Sequence, residues 1–373
     1  MWPFTAVGRR ARQIDSPKLA LGQGQPDFDT PQHIKDAMNE ALRMGYTGYR
    51  GVPELTNSLV KKFKEDNNID VKPSQIIVTV GASEAVLIGL LALIQDGDEC
   101  IITDPAYVSY KPLVEFTGAK AVPVPMREDT DYQLDIEVLN ESINPKTKLV
   151  FFNSPNNPTG TVLTRDNLKA ISEIAIDNDL LVISDEVYEK LIFGEAKHYS
   201  IAALPGMYER TITMNSFSKT YAMTGWRVGY MTGPQELISA MAKLHSYGFI
   251  CNNPAAMYAA NAALTGPQDC VEEMVEEYAA RRQLIEKKIE EIPGMSVRGF
   301  PATFYVFPNI SEYGVSSWDF CFELVDHCHI ISIPGAPFGE QGEGHLRFSY
   351  ATSRQTIVEA MERIKKYVEE KYF

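Results

Sequence analysis

The chain has 373 residues, 45% hydrophobic and 23% charged, with a formal net charge of −14. That length exceeds one ordinary core and predicts two domains of a globular protein. The acidic balance, with no basic stripe to offset it, excludes nucleic acid and anionic membrane surfaces as partners, but not a small phosphate held by local donors. Cys100, Cys251, Cys270, Cys321 and Cys328 are scattered, with no Cys-x-x-Cys pair, which points to a reducing, cytosolic compartment. No apolar run reaches the roughly 18 residues a membrane helix needs. The N-terminus lacks the continuous apolar stretch of a secretory signal.

Residues 1–20 read as an irregular, mobile arm carrying Arg9, Arg10 and Arg12. A helix then opens at Asp29-Thr30-Pro31, with Thr30 as cap, Pro31 in the first turn, and Ile34, Met38, Ala41 and Leu42 on one face. From residue 75 onward, short apolar runs alternate with helical patterns. The runs 75–80, 99–103, 148–153, 180–185, 210–215 and 227–232 predict strands buried on both faces. Such a pattern implies a largely parallel α/β sheet flanked by helices. A helix over 268–292, with Val271, Val275, Tyr278, Ile285 and Ile289 in phase, leads into a smaller α+β domain. That domain has strands in 296–308, 330–334 and 344–350 and a closing helix that turns Ile357, Met361, Ile364 and Val368 inward. The expected division is a large domain over 31–279 and a discontinuous small one from 1–30 and 280–373.

The unusual polar residues fall at one kind of place. Gly81-Ala82-Ser83, Tyr107, Asn157, Asp185 and Ser216-Phe217-Ser218-Lys219 each follow the carboxyl end of a predicted strand. In open α/β sheets that edge binds ligands. Lys219 sets a primary amine beside two hydroxyls, with the Arg227 guanidinium close by in sequence. That set suits a phosphorylated aldehyde: the amine condenses with the carbonyl, and the hydroxyls and guanidinium hold the phosphate. Ser-x-x-Lys also marks acyl enzymes, but the Ser-Asp-Asn and Lys-Thr-Gly partners these require are absent.

Each remaining segment has a plain reading beside the chemical one. The turn at Ala82 and Ser83 either presents backbone N–H groups to a phosphate or is an ordinary strand-to-helix turn capped by Ser83. The loop Asn153-Ser154-Pro155-Asn156-Asn157-Pro158-Thr159-Gly160 offers an amide donor to an anionic ring oxygen, or is turn chemistry alone. Asp185 ends an apolar run and needs a cationic partner, which a protonated pyridine would supply; the plain reading is a structural salt bridge or a helix cap. Arg347 alternates with Leu346 and Phe348, as a carboxylate clamp or as a solvent-facing strand arginine.

Gly24-Gln25-Pro26-Asp27-Phe28, Asn156-Asn157-Pro158-Thr159-Gly160, Asp185-Glu186-Val187-Tyr188, Ser216-Phe217-Ser218-Lys219 and Met223-Thr224-Gly225-Trp226-Arg227-Val228-Gly229 together resemble the class I/II aminotransferases of fold type I. The resemblance runs from Leu19 to the C-terminus and is strongest to the aspartate, aromatic and broad-range branch. It implies a pyridoxal 5′-phosphate enzyme in which Lys219 forms the Schiff base and then moves the substrate proton. It further implies that Asp185 pairs with the pyridinium, that Tyr188 and Asn157 bond the ring oxygen, and that Tyr107 and Val187 cover the two ring faces. Ala82, Ser83, Ser216, Ser218 and Arg227 would hold the phosphate. Arg347 would clamp the substrate α-carboxylate in a pocket lined by Gly24, Tyr107 and Asn157. Tyr46 matches a residue that reaches the neighbouring subunit's phosphate, which implies a homodimer with shared sites.

The implied reaction moves an amino group from an L-amino acid, aspartate before aromatic donors, to a 2-oxo acid such as 2-oxoglutarate. A lyase on the same scaffold is the alternative enzyme. A cofactor-binding transcription regulator is disfavoured, since the residues before the helix at Pro31 are too few for a helix-turn-helix. The chain departs from the family's Gly-Ala-Phe-Tyr at Ala302-Thr303-Phe304-Tyr305, which bears on the pocket edge. Arg12 is the one cation suggested for a side-chain carboxylate, and no metal site is expected.

Overall fold

Strands apolar on both faces must be covered on both, and this requirement organises the computed structural model, which describes residues 3–373. In chain order the strands are β1 (Leu19–Ala20), β2 (Ile76–Thr79), β3 (Glu99–Asp104), β4 (Lys120–Pro125), β5 (Thr147–Asn153), β6 (Leu181–Asp185), β7 (Thr211–Ser216), β8 (Gly229–Thr232), β9 (Tyr305–Val306), β10 (Ile330–Ile331), β11 (Ile333–Pro334) and β12 (Leu346–Ser349). Seven form the central sheet in the order β2-β8-β7-β6-β5-β3-β4. Neighbours from β7 through β4 are parallel, and β8 runs against both β7 and β2. β2 therefore points the same way as the parallel strands, so the carboxyl ends of β2, β3, β5, β6 and β7 share one edge.

Period-two alternation splits these strands between two cores. Leu149, Phe151 and Ile183 pack with residues of the helices Gly81–Leu93 and Gln235–Gly248. Val150, Phe152 and Val182 pack on the other face with Leu168, Ile171 and Ala175 of the helix Arg165–Asp177. The predicted strands are all present. β4 was not foreseen: it is an edge strand interrupted by Pro123 and Pro125 and partly exposed, so it lacks a continuous apolar run.

Beyond the long helix Asp269–Glu290, an antiparallel sheet β11-β12-β9 and the pair β1-β10 stack against the closing helix Arg354–Lys371. Ile357, Met361, Ile364 and Val368 are buried in that helix, as the pattern predicts. Arg281 on the long helix bonds both carboxylate oxygens of Asp27 at 2.8 Å, which ties the Gly24–Phe28 stretch to this region.

Two expectations fail. The arm is not irregular over its described part: Pro3–Arg12 is a helix with Val7 and Ala11 buried, anchored by Arg10 to Asp326 at 2.5 and 2.8 Å. Its first two residues lie outside the described residues. Thr30 does not cap a helix either. The helix runs Gln32–Arg43 after Pro31 with no side-chain cap, and the Thr30 hydroxyl instead donates to Ala222 O and accepts from Trp226 Nε1. Long-range partners beat the local cap. Among the described residues no helix is long and apolar enough to cross a membrane.

Behind the turn after β6 lies a sealed polar network. Glu186 accepts from Ser184, Ser200 and Asn67, and bonds His198 at 2.9 Å. Glu189 pairs with Lys62, which also donates to Asn67 at 2.7 Å. Burial opposes a charge on His198, yet Glu186 and Glu189 hold its pKa above the ordinary value. The network fixes the backbone on which Asp185 and Tyr188 sit. Lys62→Met would leave Glu189 short of its cation, and urea denaturation should show a loss of roughly 3–5 kcal/mol. A loss below about 1 kcal/mol, the level of an exposed pair, would show that the network contributes little.

Candidate active site

The shared sheet edge opens into one cavity of about 410 Å³. It is lined by Gly24, Ala82, Ser83, Tyr107, Asn157, Asp185, Val187, Tyr188, Ser216, Ser218, Lys219, Arg227 and Arg347, together with Phe4, Tyr110 and Tyr305. Every expected site residue except Tyr46 and the suggested Arg12 lines it.

One end of the cavity is built to hold an anion. The helix Gly81–Leu93 starts two residues after β2, and its first N–H groups have no carbonyl within the helix to bond. Its N-cap is Val80 without a side-chain cap, so Ser83 is not a capping residue and lines the cavity instead. β8 passes this helix start at contact: a Cβ on Gly229 would lie 2.6 Å from the Gly81 carbonyl carbon and 2.7 Å from Ala82 N. Gly81 itself has φ +73°, and a Cβ there would collide with the Arg227 guanidinium. Ser216 caps the short turn that carries Lys219, accepting from Ser218 N at 3.1 Å and donating to Ser218 Oγ at 2.8 Å. Arg227 donates to Thr224 O at 2.9 Å.

In the middle, Lys219 Nζ donates to Gly24 O at 2.5 Å. Burial lowers its pKa to about 8, Arg347 and Arg227 add to the effect, and Asp185 opposes it. Asp185 lies 5% exposed. Burial raises its pKa to about 6 against the lowering hydrogen bonds from Tyr110 and Val187 N, at 2.6 and 3.1 Å. Its oxygens meet a phenol and a backbone N–H, and among the described residues it forms no salt bridge, the alternative considered. A cation placed beside it would relieve the desolvation penalty.

At the far end Arg347 on β12 is fully buried, so the solvent-facing alternative is wrong. Its Nη1 donates to Asn157 Oδ1 at 3.1 Å and its Nη2 to Gly22 O at 2.9 Å. Its Nε is buried with no hydrogen-bond partner among the described residues. Tyr107 meets Tyr110 edge to face at 5.6 Å.

Tyr46 lies outside this cavity, stacked on Tyr258 at 4.8 Å beneath the Arg50 guanidinium. Around it Met44 and Tyr49 are exposed. Arg12 is also exposed and does not line the cavity, so it is no candidate for a substrate carboxylate here. Tyr110, Tyr305 and Phe4 are among the cavity residues that the sequence reading does not assign to the site. Tyr110 lies three residues past Tyr107 in an obvious aromatic pair. Tyr305 ends the segment that departs from the family pattern. Phe4 sits on the helix that was read as an arm.

The family model for class I and II aminotransferases matches residues 16–364. The chain is 45% identical to the aspartate aminotransferase of Pyrococcus abyssi, over 95% of its own length and 92% of the relative's. It is 42% identical to aromatic-amino-acid aminotransferase 2 of Thermococcus litoralis over the same shares. It matches the structure of the aromatic aminotransferase from Pyrococcus horikoshii OT3 with a TM-score of 0.93 at 42% identity, covering 98% of this chain and 99% of that one. It matches Thermus thermophilus aspartate aminotransferase with maleate at 0.93 and 35% identity, covering 98% and 96%. The chain belongs to the class I and II aminotransferases and is a pyridoxal-phosphate-dependent transaminase.

The cavity fits that cofactor on its own chemistry. An anion cup, a buried amine and a buried carboxylate with no ion-pair partner among the described residues stand in one space, matching a phosphate, an aldehyde and a ring nitrogen. The Lys219 assignment has a direct readout in cofactor-free protein. Because burial disfavours its ammonium, modification by an amine-selective reagent, mapped by peptide mass, should rise with a midpoint near pH 8. A midpoint at the ordinary lysine value of 10.5 would contradict a buried, depressed amine.

Proposed function

We propose that this transaminase takes its amino group from L-aspartate, with aromatic amino acids as second donors, and passes it to 2-oxoglutarate. What carries the reading is the buried Lys219 amine, 2.5 Å from Gly24 O, set between the Arg227 cup and the Arg347 guanidinium in one cavity.

In this reading the Ala82 and Ser83 N–H groups, Ser216, Ser218 and Arg227 would hold the phosphate. Tyr107 and Val187 would cover the two ring faces. Asp185 would pair with the ring nitrogen and supply the charge that keeps it protonated, with Tyr110 holding the carboxylate in register. Tyr188 would donate to the ring oxygen, as would the Asn157 amide, whose Oδ1 is already engaged by Arg347. Bound there, pyridoxal phosphate would supply an aldehyde that takes up the amine and a ring that withdraws electrons from the substrate Cα. Arg347 clamps the α-carboxylate, and its unpartnered Nε supports that role. Lys219 Nζ would take the proton from the substrate Cα and deliver it to the cofactor carbon that carried the aldehyde, the shift that leaves the amine on the cofactor; a pKa near 8 leaves part of the population neutral at physiological pH.

The relatives support aspartate: those of Pyrococcus abyssi and Bacillus subtilis are named aspartate aminotransferases. The cavity supports the second reading. Its cations among the described residues are Lys219, Arg227 and Arg347. With one given to each assigned role, this subunit has none left for a side-chain carboxylate. Phe4, Tyr107 and Tyr305 offer aromatic walls instead.

The same reading divides the chain into a large unit over 31–279 and a small one from 1–30 and 280–373, with the cavity between them. It pairs two chains into a homodimer, placing Tyr46 at the partner's phosphate. The exposed Met44, Tyr49, Tyr247 and Ile250 support a covered surface. Cysteines that are all free support a reducing cytoplasm.

The test is a panel of amino donors against 2-oxoglutarate, scored by kcat/KM, in wild type and Arg347→Ala. Aspartate should lead, and Arg347→Ala should raise KM for every donor at least tenfold, roughly the value of a charged hydrogen bond, with cofactor still bound. Phenylalanine or tyrosine leading would select the second reading. An unchanged KM would remove Arg347 from the clamp.

A further inference from the structure

Beyond offering an aromatic wall, Tyr305 touches the groups assigned to three separate roles. Its hydroxyl lies 3.2 Å from that of Tyr188. Its ring lies under the Arg347 guanidinium, 4.3 Å from centroid to carbon. The same hydroxyl sits where a Cβ on Gly24 would approach within 2.8 Å, and Gly24 O is the acceptor for Lys219. The residue is 1% exposed, and among the described residues Tyr188 is the hydrogen-bond partner of its hydroxyl.

The geometry points to Tyr305 as a positioning residue that sets how strongly Tyr188 donates to the cofactor ring oxygen and holds Arg347 in its clamping orientation. The inference rests on the proposed placement of Tyr188. A phenol has one proton, and Tyr188 directs it to the ring oxygen, so between the two hydroxyls Tyr305 is the donor. A hydroxyl that accepts one hydrogen bond donates the next more strongly, because the two bonds polarise each other in a site of low dielectric. The ring contributes separately: a guanidinium whose Nε lacks a partner is steered by the aromatic face below it, and Arg, unlike Lys, stacks flat. Gly24 completes the arrangement, since any larger residue would displace the Tyr305 hydroxyl. This accounts for one glycine serving both a carbonyl contact and a close approach.

The two functions separate by substitution. Tyr305→Phe removes the hydroxyl and keeps the ring. The pH midpoint of the bound cofactor's visible absorbance should move upward by about half a unit or more, while KM for the amino acid stays within about twofold, since the ring still faces Arg347. Tyr305→Leu removes both, and KM should rise on the order of tenfold. In the double variant Tyr188→Phe/Tyr305→Phe the midpoint should match that of Tyr188→Phe alone, because Tyr305 acts through Tyr188. A packing role would lower thermal stability without this spectral pattern. Should Tyr305→Phe fold poorly, 3-fluorotyrosine at position 305 keeps the shape and strengthens the donor, and the midpoint should then move down. An unmoved midpoint in either single variant, or additive shifts in the double one, overturns the role. If Tyr188→Phe itself leaves the midpoint in place, the Tyr188 assignment has failed instead.

Discussion

A carboxylate sealed at an apolar sheet edge is unfavourable unless positive charge stands nearby, and the site depends on Asp185 being in that position. It ends a strand buried on both faces, and burial raises its pKa to about 6 even with a phenol and a backbone N–H donating to it. The protein alone leaves this carboxylate without an ion pair among the described residues, with the Lys219 amine only partly offsetting its burial, and a protonated ring nitrogen would complete the arrangement. Folding without the cofactor bears the penalty above pH 6, where the group is ionised. The penalty fades as pH falls toward the ordinary value of 3.8, because the native state then binds the proton more readily than the unfolded chain. In the proposed placement, part of the cofactor's binding energy would be the relief of a penalty that the fold maintains.

Maintaining it requires stiffness behind the carboxylate. Glu186 and Glu189, the residues flanking Val187 and Tyr188, are locked by Asn67, Lys62, His198 and two serines out of reach of water. The turn that carries Asp185 on one side and Tyr188 on the other has little freedom to relax toward solvent. Glu186 also pushes the Asp185 pKa upward through its own charge. At the opposite end, glycines at 81 and 229 let a strand and a helix start touch, so that backbone donors stand beside the Arg227 guanidinium in the anion cup. Short, fixed donors lose little entropy when a ligand arrives.

Much of this was legible in the sequence, for identifiable reasons. Strands buried on both faces leave unbroken apolar runs, and chemistry placed at their ends stands out against that background, as at Asn157, Asp185 and Lys219. What stayed hidden depended on contacts distant along the chain. Thr30 looks like a helix cap but is engaged by Trp226 and Ala222, nearly two hundred residues away. The opening helix is recognisable only with the surface it covers, since Val7 and Ala11 alone do not make a pattern. β4 is hidden by its own prolines. Tyr110 and Tyr305 read as ordinary aromatic residues until their hydroxyls are seen to meet Asp185 and Tyr188.

The central claim is that Asp185 recognises the cofactor through the charge on its ring nitrogen. The direct measurement is the affinity of cofactor-free protein for pyridoxal phosphate and for its carbocyclic analogue, in which a C–H replaces that nitrogen, in wild type and in Asp185→Asn. Wild type should prefer the nitrogen form by on the order of a hundredfold, the scale of a buried charge pair, and Asp185→Asn should lose most of that preference. Equal preference in the two proteins would contradict the account.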